Sequence, residues 1–254
     1  MKKIGITILS TNRSRCLERL VYSMEKCGIN DNIDVFVLDD SPEGKIKRCI
    51  RRFCTKRSWI RYKNTGNMIG IVNNSNNALE ILKPYEYKMM LNNDVEILHK
   101  DWWNVYFDAM EDTGIHHFCF QQQGMWGHGK KQRPHIIQEI NGIKVRTIKE
   151  KPMGAILTFD KLAQDTVGFY DTIFPRYGMS HHDWTNRVSL SGIQINGIHD
   201  LAESNKFFKI HNEQSCTERS VRLNMYEDAI KIYNHVKGNM KRINIENKSP
   251  ILDK

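Results

Sequence analysis

The stretch KMMLNNDVEILHK, Lys88–Lys100, decides how this chain is read. Its apolar run stops at Leu91, and Asn92, Asn93 and Asp94 follow at once. A carboxylate at the end of a buried strand is costly to a core, but it serves a site that holds a divalent cation and a phosphate. Working back along the chain, IDVFVLDDSP (Ile33–Pro42) repeats the arrangement and ends on Asp39 and Asp40. Earlier still, KIGITIL (Lys3–Leu9) reads as a first strand, with Thr11, Asn12 and Arg13 in the loop after it.

Helical patterns separate these runs. Arg15–Cys27 carries Leu17, Leu20, Val21 and Met24 at helical spacing. Pro42 can open a helix over Glu43–Phe53, with Ile46, Ile50 and Phe53 on one face and Ser41 as its cap. A short strand, Trp59–Tyr62, precedes an asparagine- and glycine-rich segment that enters a helix near Ile71–Leu82. Tyr87–Leu91 is the next strand, Trp102–Met110 a helix and Ile115–Phe120 a further strand. Such alternation predicts an α/β domain with a mostly parallel central sheet flanked by helices. Ligands of such sheets bind beyond the carboxyl ends of the strands, where Asn12, Asp39, Asp40, Asn93 and Asp94 all fall.

Past residue 120 the pattern changes. Gln121–Pro134 is polar and glycine-rich and holds Trp126, a residue able to stack on an acceptor ring. Asn141-Gly142 between Ile136–Ile140 and Ile143–Ile148 is a hairpin signal, so a small antiparallel hairpin is expected. Pro152–Phe159, a helix from Leu162 to Val167, a helix over His181–Leu190 and a strand over Gly192–Ile198 follow. Thr217–Val236 reads as a C-terminal helical extension. The expected division is one domain over 1–216, with a nucleotide-binding half to about residue 100 and an acceptor half after it, then the extension over 217–254.

The chain has 254 residues, 40% of them hydrophobic, enough for one large core. Its six cysteines form no CxxC pair and are expected to be reduced thiols. No apolar stretch reaches the 18 or so residues of a membrane span, and Thr11–Arg13 interrupt the only signal-like start, so a cytoplasmic location is expected. Thirty-eight basic against 29 acidic residues give a net charge of +9, which favours polyanionic neighbours. The basic residues crowd into Lys45–Arg61, a solvated helix face or a patch for an acceptor or the inner face of a membrane.

Several side chains are candidates for chemistry. Asp94 is the first choice for Mg²⁺ or Mn²⁺, with Asn93 able to reach a phosphate, a ribose or metal-bound water. Asp39 and Asp40 point to opposite sides of an extended segment, so one can meet a nucleobase or ribose while the other braces the loop. Thr11, Asn12 and Arg13 present backbone N–H groups and a guanidinium fork to a base or phosphate. In His181-His182-Asp183-Trp184, Asp183 or a histidine can take a proton from an acceptor hydroxyl. His199, just after an expected strand, can complete a metal site with Asp94.

Together these stretches resemble a family 2 glycosyltransferase of the GT-A fold. The matching segments are ITILSTNR (6–13), VFVLDDSP (35–42), NMIGIVNNSNNAL (67–79), KMMLNNDVEI (88–97), KPMGAILTFDKLAQDTVGFYD (151–171) and YGMSHHDWTNRVSLSG (177–192). The resemblance implies a nucleotide-sugar donor, a UDP-sugar or GDP-sugar, and inverting transfer by direct displacement. It implies that Asp39 or Asp40 contacts the base and ribose, and that Asn67 and Asn93 join the donor site. Asp94 would be the acidic ligand left in the metal motif, whose first aspartate is here Asn92, and His199 would lie near the donor phosphates. The family's Glu-Asp base motif is altered: if Trp184 and Arg187 keep their places it falls on Ser180-His181, so the base is Asp183, which keeps a carboxylate in the cluster, or His181. The acceptor is a glycan, a lipid-linked glycan, a protein or a nucleic acid. The competing readings are a nucleotidyltransferase, for which the loop after the first strand lacks glycine, and a basic nucleic-acid-binding protein.

Overall fold

The computed structural model describes residues 2–66, 68–122, 136–149, 152–211, 219–237 and 243–246. Four parallel strands build the first half: β1 (Ile4–Ser10), β2 (Ile33–Asp39), β3 (Ile60–Asn64) and β4 (Tyr87–Asn92), laid side by side as β3-β2-β1-β4. The helices between them are α1 (Ser14–Cys27), α2 (Lys45–Thr55) and α3 (Ile71–Leu82). β1 is buried along its whole length, as a central strand covered on both faces must be. α1 buries Leu17, Leu20, Val21 and Met24, the residues whose spacing marks its apolar stripe. α3 covers the opposite face through Leu79 and Leu82.

Beyond β4 the sheet becomes mixed and completes nine strands in the order β3-β2-β1-β4-β9-β6-β10-β8-β7. These are β6 (His117–Cys119), β7 (Ile136–Ile140), β8 (Ile143–Thr147), β9 (Ile156–Asp160) and β10 (His199–Leu201). The Asn141-Gly142 hairpin forms as expected, with φ of 48° and 85° at its two turn residues. Through β8 it pairs with β10 and becomes the far edge of the main sheet. β5 (Val95–Ile97) and β11 (Phe208–Ile210) form a separate antiparallel ribbon against α1, where Ile97 N–H donates to Ser23 Oγ at 3.0 Å.

Four helices complete the described fold: α4 (Asn104–Thr113), α5 (Lys161–Val167), α6 (Ser180–Leu190) and α7 (Arg219–Val236). α7 buries Ala229 and Val236 in the cluster that holds Trp184, and Tyr233 stacks on His182 at 4.6 Å, so the extension packs back on the domain. The expected boundary at 216/217 lies outside the described residues. The strand expected over Gly192–Ile198 does not form: Gly192 and Gly197 take φ of 80° and 131°, and pairing begins only at His199. Ser41 does not cap α2, which starts at Lys45 after Gly44. Its hydroxyl is taken by Asp39 instead. The five cysteines among the described residues are free thiols, and no described helix is long and apolar enough to cross a membrane.

Candidate active site

The carboxyl ends of β1, β2 and β4 meet where the sequence placed its polar residues. Asn93 is buried and fastens the loop after β1, its Nδ2 donating to Ser10 Oγ at 3.2 Å and to Arg13 O at 3.5 Å. Arg13, at the start of α1, reaches across with Nη1 3.5 Å from Asp94 Oδ2. Asp94 therefore sits where a guanidinium and the N-terminus of a fourteen-residue helix already concentrate positive potential.

Asp39 and Asp40 are both buried and both hydrogen-bonded within the fold. Asp39 Oδ1 accepts from Ser41 N at 3.1 Å and Ser41 Oγ at 2.5 Å, while Oδ2 accepts from Tyr62 OH at 2.9 Å. Ser41 Oγ in turn accepts from Asn12 N at 2.7 Å, and Asn12 takes a left-handed φ of 53° to reach it. Asp40 accepts from Ile69 N at 2.7 Å and Gly70 N at 3.0 Å, holding the entry to α3. Burial pushes its carboxyl above the usual range, and these two N–H groups pull it back. The pair thus orders the β1, β2 and β3 loops from beneath. Thr11 stays half-exposed on the rim of the site. Asn67 and Trp126 lie outside the described residues.

His199 and Asp94 are not brought together. His199 lies opposite Phe118, Phe118 opposite Thr158, and Thr158 opposite Met89. The histidine is therefore three strands from β4, about 14 Å at normal strand spacing, and level with a residue five positions before Asp94. Its Nε2 donates to Ile195 O at 3.1 Å, and burial lowers its pKa. His199 is thus held by its own loop on β10, in a different part of the sheet from β4.

The histidine beside Asp94 is His211, which is not among the residues expected at the site. Its backbone N–H extends the ribbon by one bond, to Asp94 O at 3.0 Å. Its Nε2 lies 2.6 Å from Glu96 Oε2, and Glu96 is two residues from Asp94 on β5. Donation of Nε2–H to that carboxylate leaves Nδ1 as the nitrogen with a free lone pair. Two signals were available: Asp94 and Glu96 alternate along a strand, and FFKI before His211 is another apolar run ending in a polar residue.

On the other side of the sheet, α6 carries the acid–base candidates. Asp183 is buried and accepts from Arg187 Nε at 3.0 Å. The same guanidinium donates to the carbonyls of Val167, Phe169 and Ile243. Asp183 thus balances a buried cation that ties α6 to its neighbours. His181, at the first turn, is half-buried and places Nε2 3.1 Å from Pro152 O. A carbonyl can only accept, so Nε2 carries the proton and Nδ1 the lone pair. Burial lowers its pKa, with the Pro152 bond opposing. Gly154 is needed for this packing, because a Cβ there would meet the imidazole at 2.5 Å.

No protein-family model matches the chain, and no curated protein matches it by sequence. Solved structures do. A mannosyltransferase from Pyrobaculum calidifontis, PcManGT, determined with GDP-Man and Mn²⁺, superposes with a TM-score of 0.56 at 12% identity over 78% of this chain. Residues 1–349 of S. aureus TarS with UDP-GlcNAc give 0.59 at 12% identity over 92% of this chain and 73% of that one. GalNAc-T7 with UDP, GalNAc and Mn²⁺ gives 0.64 at 9% identity over 95% of this chain. The chain spans 55% of the length of PcManGT and 49% of that of GalNAc-T7. These likenesses show a shared fold, the GT-A-like architecture expected from the sequence.

Proposed function

We propose that this chain is a glycosyltransferase that moves a sugar from a nucleotide diphosphate sugar to a hydroxyl acceptor with inversion, taking a UDP-sugar in preference to a GDP-sugar. The observation that carries the reading is the meeting of Arg13, Asn93 and Asp94 beside the N-terminus of α1, at the carboxyl edge of parallel strands. Such an edge is where an open α/β sheet takes a nucleotide. Arg13 and the helix N-terminus address the diphosphate, and Thr11 and Asn12 line the approach of the base. The Asp39–Ser41–Tyr62 network sets the shape of the base pocket.

The donor set fits a divalent cation shared with the donor. Among the described residues no group of three or more His, Cys, Asp or Glu side chains can hold a metal ion alone. Mg²⁺ and Mn²⁺ sites of nucleotide enzymes commonly use one or two protein ligands and complete the shell with phosphate oxygens and water. Asp94 and His211 are the residues that would hold the ion, with Glu96 orienting the imidazole. Bound there, the cation would neutralise the departing diphosphate. His181, neutral and with Nδ1 free, is the base assigned to the acceptor hydroxyl, and Asp183 the brace that fixes its helix.

The test is turnover of a panel of UDP- and GDP-sugars, with and without Mn²⁺, followed by NMR of the anomeric product. Metal-dependent release of UDP with inversion is expected, and Asp94→Ala should abolish it while the circular dichroism spectrum is retained. Unchanged metal-dependent turnover in that variant would remove Asp94 from the site. Absence of binding to any nucleotide sugar would overturn the whole reading.

A further inference from the structure

α2 carries a charge pattern that the core does not use, and only one flank of it, Lys47, Arg48 and Arg51, lines a cleft with Tyr62 and Asn64. Ile50 and Cys54 point inward, with Phe53 packed against the same core. The outward face holds Lys45, Arg48, Arg51, Arg52 and Lys56, all exposed, with only Cys49 and Thr55 among them. Lys47 is the α2 cation that has an ion-pair partner among the described residues, Glu43 at 2.5 Å.

This pattern works against the helix itself. Lys47/Arg51, Arg48/Arg52 and Arg52/Lys56 are like charges four residues apart, which repel on a helix surface. The first turn of α2 holds no acidic residue, although a carboxylate would help there, and Lys45 sits at the positive end of the helix dipole. A merely solvated face would mix the two signs. An anionic partner would offset the repulsion.

The geometry indicates which partner. α2 lies broadside on the sheet and presents its long side, about 16 Å from Lys45 to Lys56 at helical rise. When that side rests on a plane, all five cations fall within one Debye length of it. The exposed face offers no aromatic ring on which a base could stack. We propose that the outer face of α2 docks the protein on an anionic lipid surface by charge, without insertion of the helix. The proposal is independent of the sugar-transfer reading.

Co-sedimentation of the full chain with vesicles tests it. Binding is expected to phosphatidylcholine vesicles containing roughly 30 mol% phosphatidylglycerol and not to phosphatidylcholine alone, and it should be lost as NaCl is raised to about 0.5 M. Lys45→Glu, Arg48→Glu, Arg52→Glu and Lys56→Glu together should weaken binding on the order of 100-fold or more. A control with Lys83, Lys100, Lys144 and Lys237 changed to Glu should stay within about five-fold of wild type, because these exposed lysines are spread over other faces. Gln at the four α2 positions should also abolish sedimentation, which guards against a folding artefact in the Glu variant. Equal loss in the control would reduce the effect to net charge and overturn the proposal. Binding to neutral vesicles, or a salt-sensitive affinity for duplex DNA with none for vesicles, would also overturn it.

Discussion

Replacing His181 and Asp183 one at a time separates a base from a brace, because the two side chains sit in opposite surroundings on one turn of α6. Asp183→Asn leaves the Arg187 guanidinium buried without its counter-charge, in a pair whose side chains are 3% and 4% exposed. Breaking a buried pair costs about 3–5 kcal/mol. Arg187 keeps three carbonyl acceptors, which places the loss near the lower end, about 3 kcal/mol. For a domain of this size that corresponds to a fall in Tm of about 6–12 °C. His181→Gln keeps an amide that can still donate to the Pro152 carbonyl, so its stability should change by about 1 kcal/mol or less. Its turnover should fall by about 10²–10⁴-fold if the imidazole takes the acceptor proton. A base must be unprotonated to act, and burial holds the His181 pKa below its ordinary value. Activity of the wild type should therefore fall only as pH drops below about 6.5, and His181→Gln should flatten that acid limb. Thermal unfolding and sugar-nucleotide turnover between pH 5 and 8, measured on both variants, read the two effects separately. A folded, inactive Asp183→Asn beside a fully active His181→Gln would refute the assignment and return the role to Asp183.

Three further outcomes follow from buried groups and from the ribbon beside Asp94. Lys88 is fully buried on β4, its Nζ without a hydrogen-bond partner, and burial lowers its pKa from 10.5 to about 8. The unfolded chain then holds the proton more tightly, so stability should rise with pH between about 8 and 10.5, and Lys88→Met should add about 3 kcal/mol at pH 7 and little above pH 10.5. Urea unfolding at the two pH values measures this, and an equal gain at both would show that packing is responsible. His117 is buried with Nδ1 donating to Thr158 O and its pKa lowered by burial to about 4. Its neutral form stabilises the fold, so between pH 6.5 and 5 it should cost about 2 kcal/mol, and His117→Gln should reduce that slope in pH-dependent unfolding. A slope unchanged by the substitution would clear His117 of the effect. Glu96→Ala should weaken Mn²⁺ binding in the presence of UDP by about 10-fold or more, read from the EPR signal of free Mn²⁺. Unchanged affinity would mean that Glu96 does not orient His211.

The parallel half of the fold was legible because its signals are local. A buried strand, an amphipathic helix and a polar strand end each span no more than about four helical turns of chain, and β1, β2 and β4 bring their ends together once the connections are right-handed crossovers. Asp94, Asn93 and Arg13 met for that reason alone. The histidine that faces Asp94 depends on something no local pattern carries. His199 and His211 both follow apolar residues, and nothing in either segment says which strand it will join. Pairing decides it: β10 closes against β6 and β8 in the main sheet, whereas β11 leaves that sheet and pairs with β5, the three residues directly after Asp94. Register then does the rest, since Ile210 opposite Val95 sets His211 beside Asp94. The same limit applies to the acid–base residues. Asp183 and the Arg187 that pairs with it stand four residues apart on one helix, a spacing the sequence does display. That contact was readable, whereas the one that orients His181 is distant in sequence, its Nε2 meeting the carbonyl of Pro152.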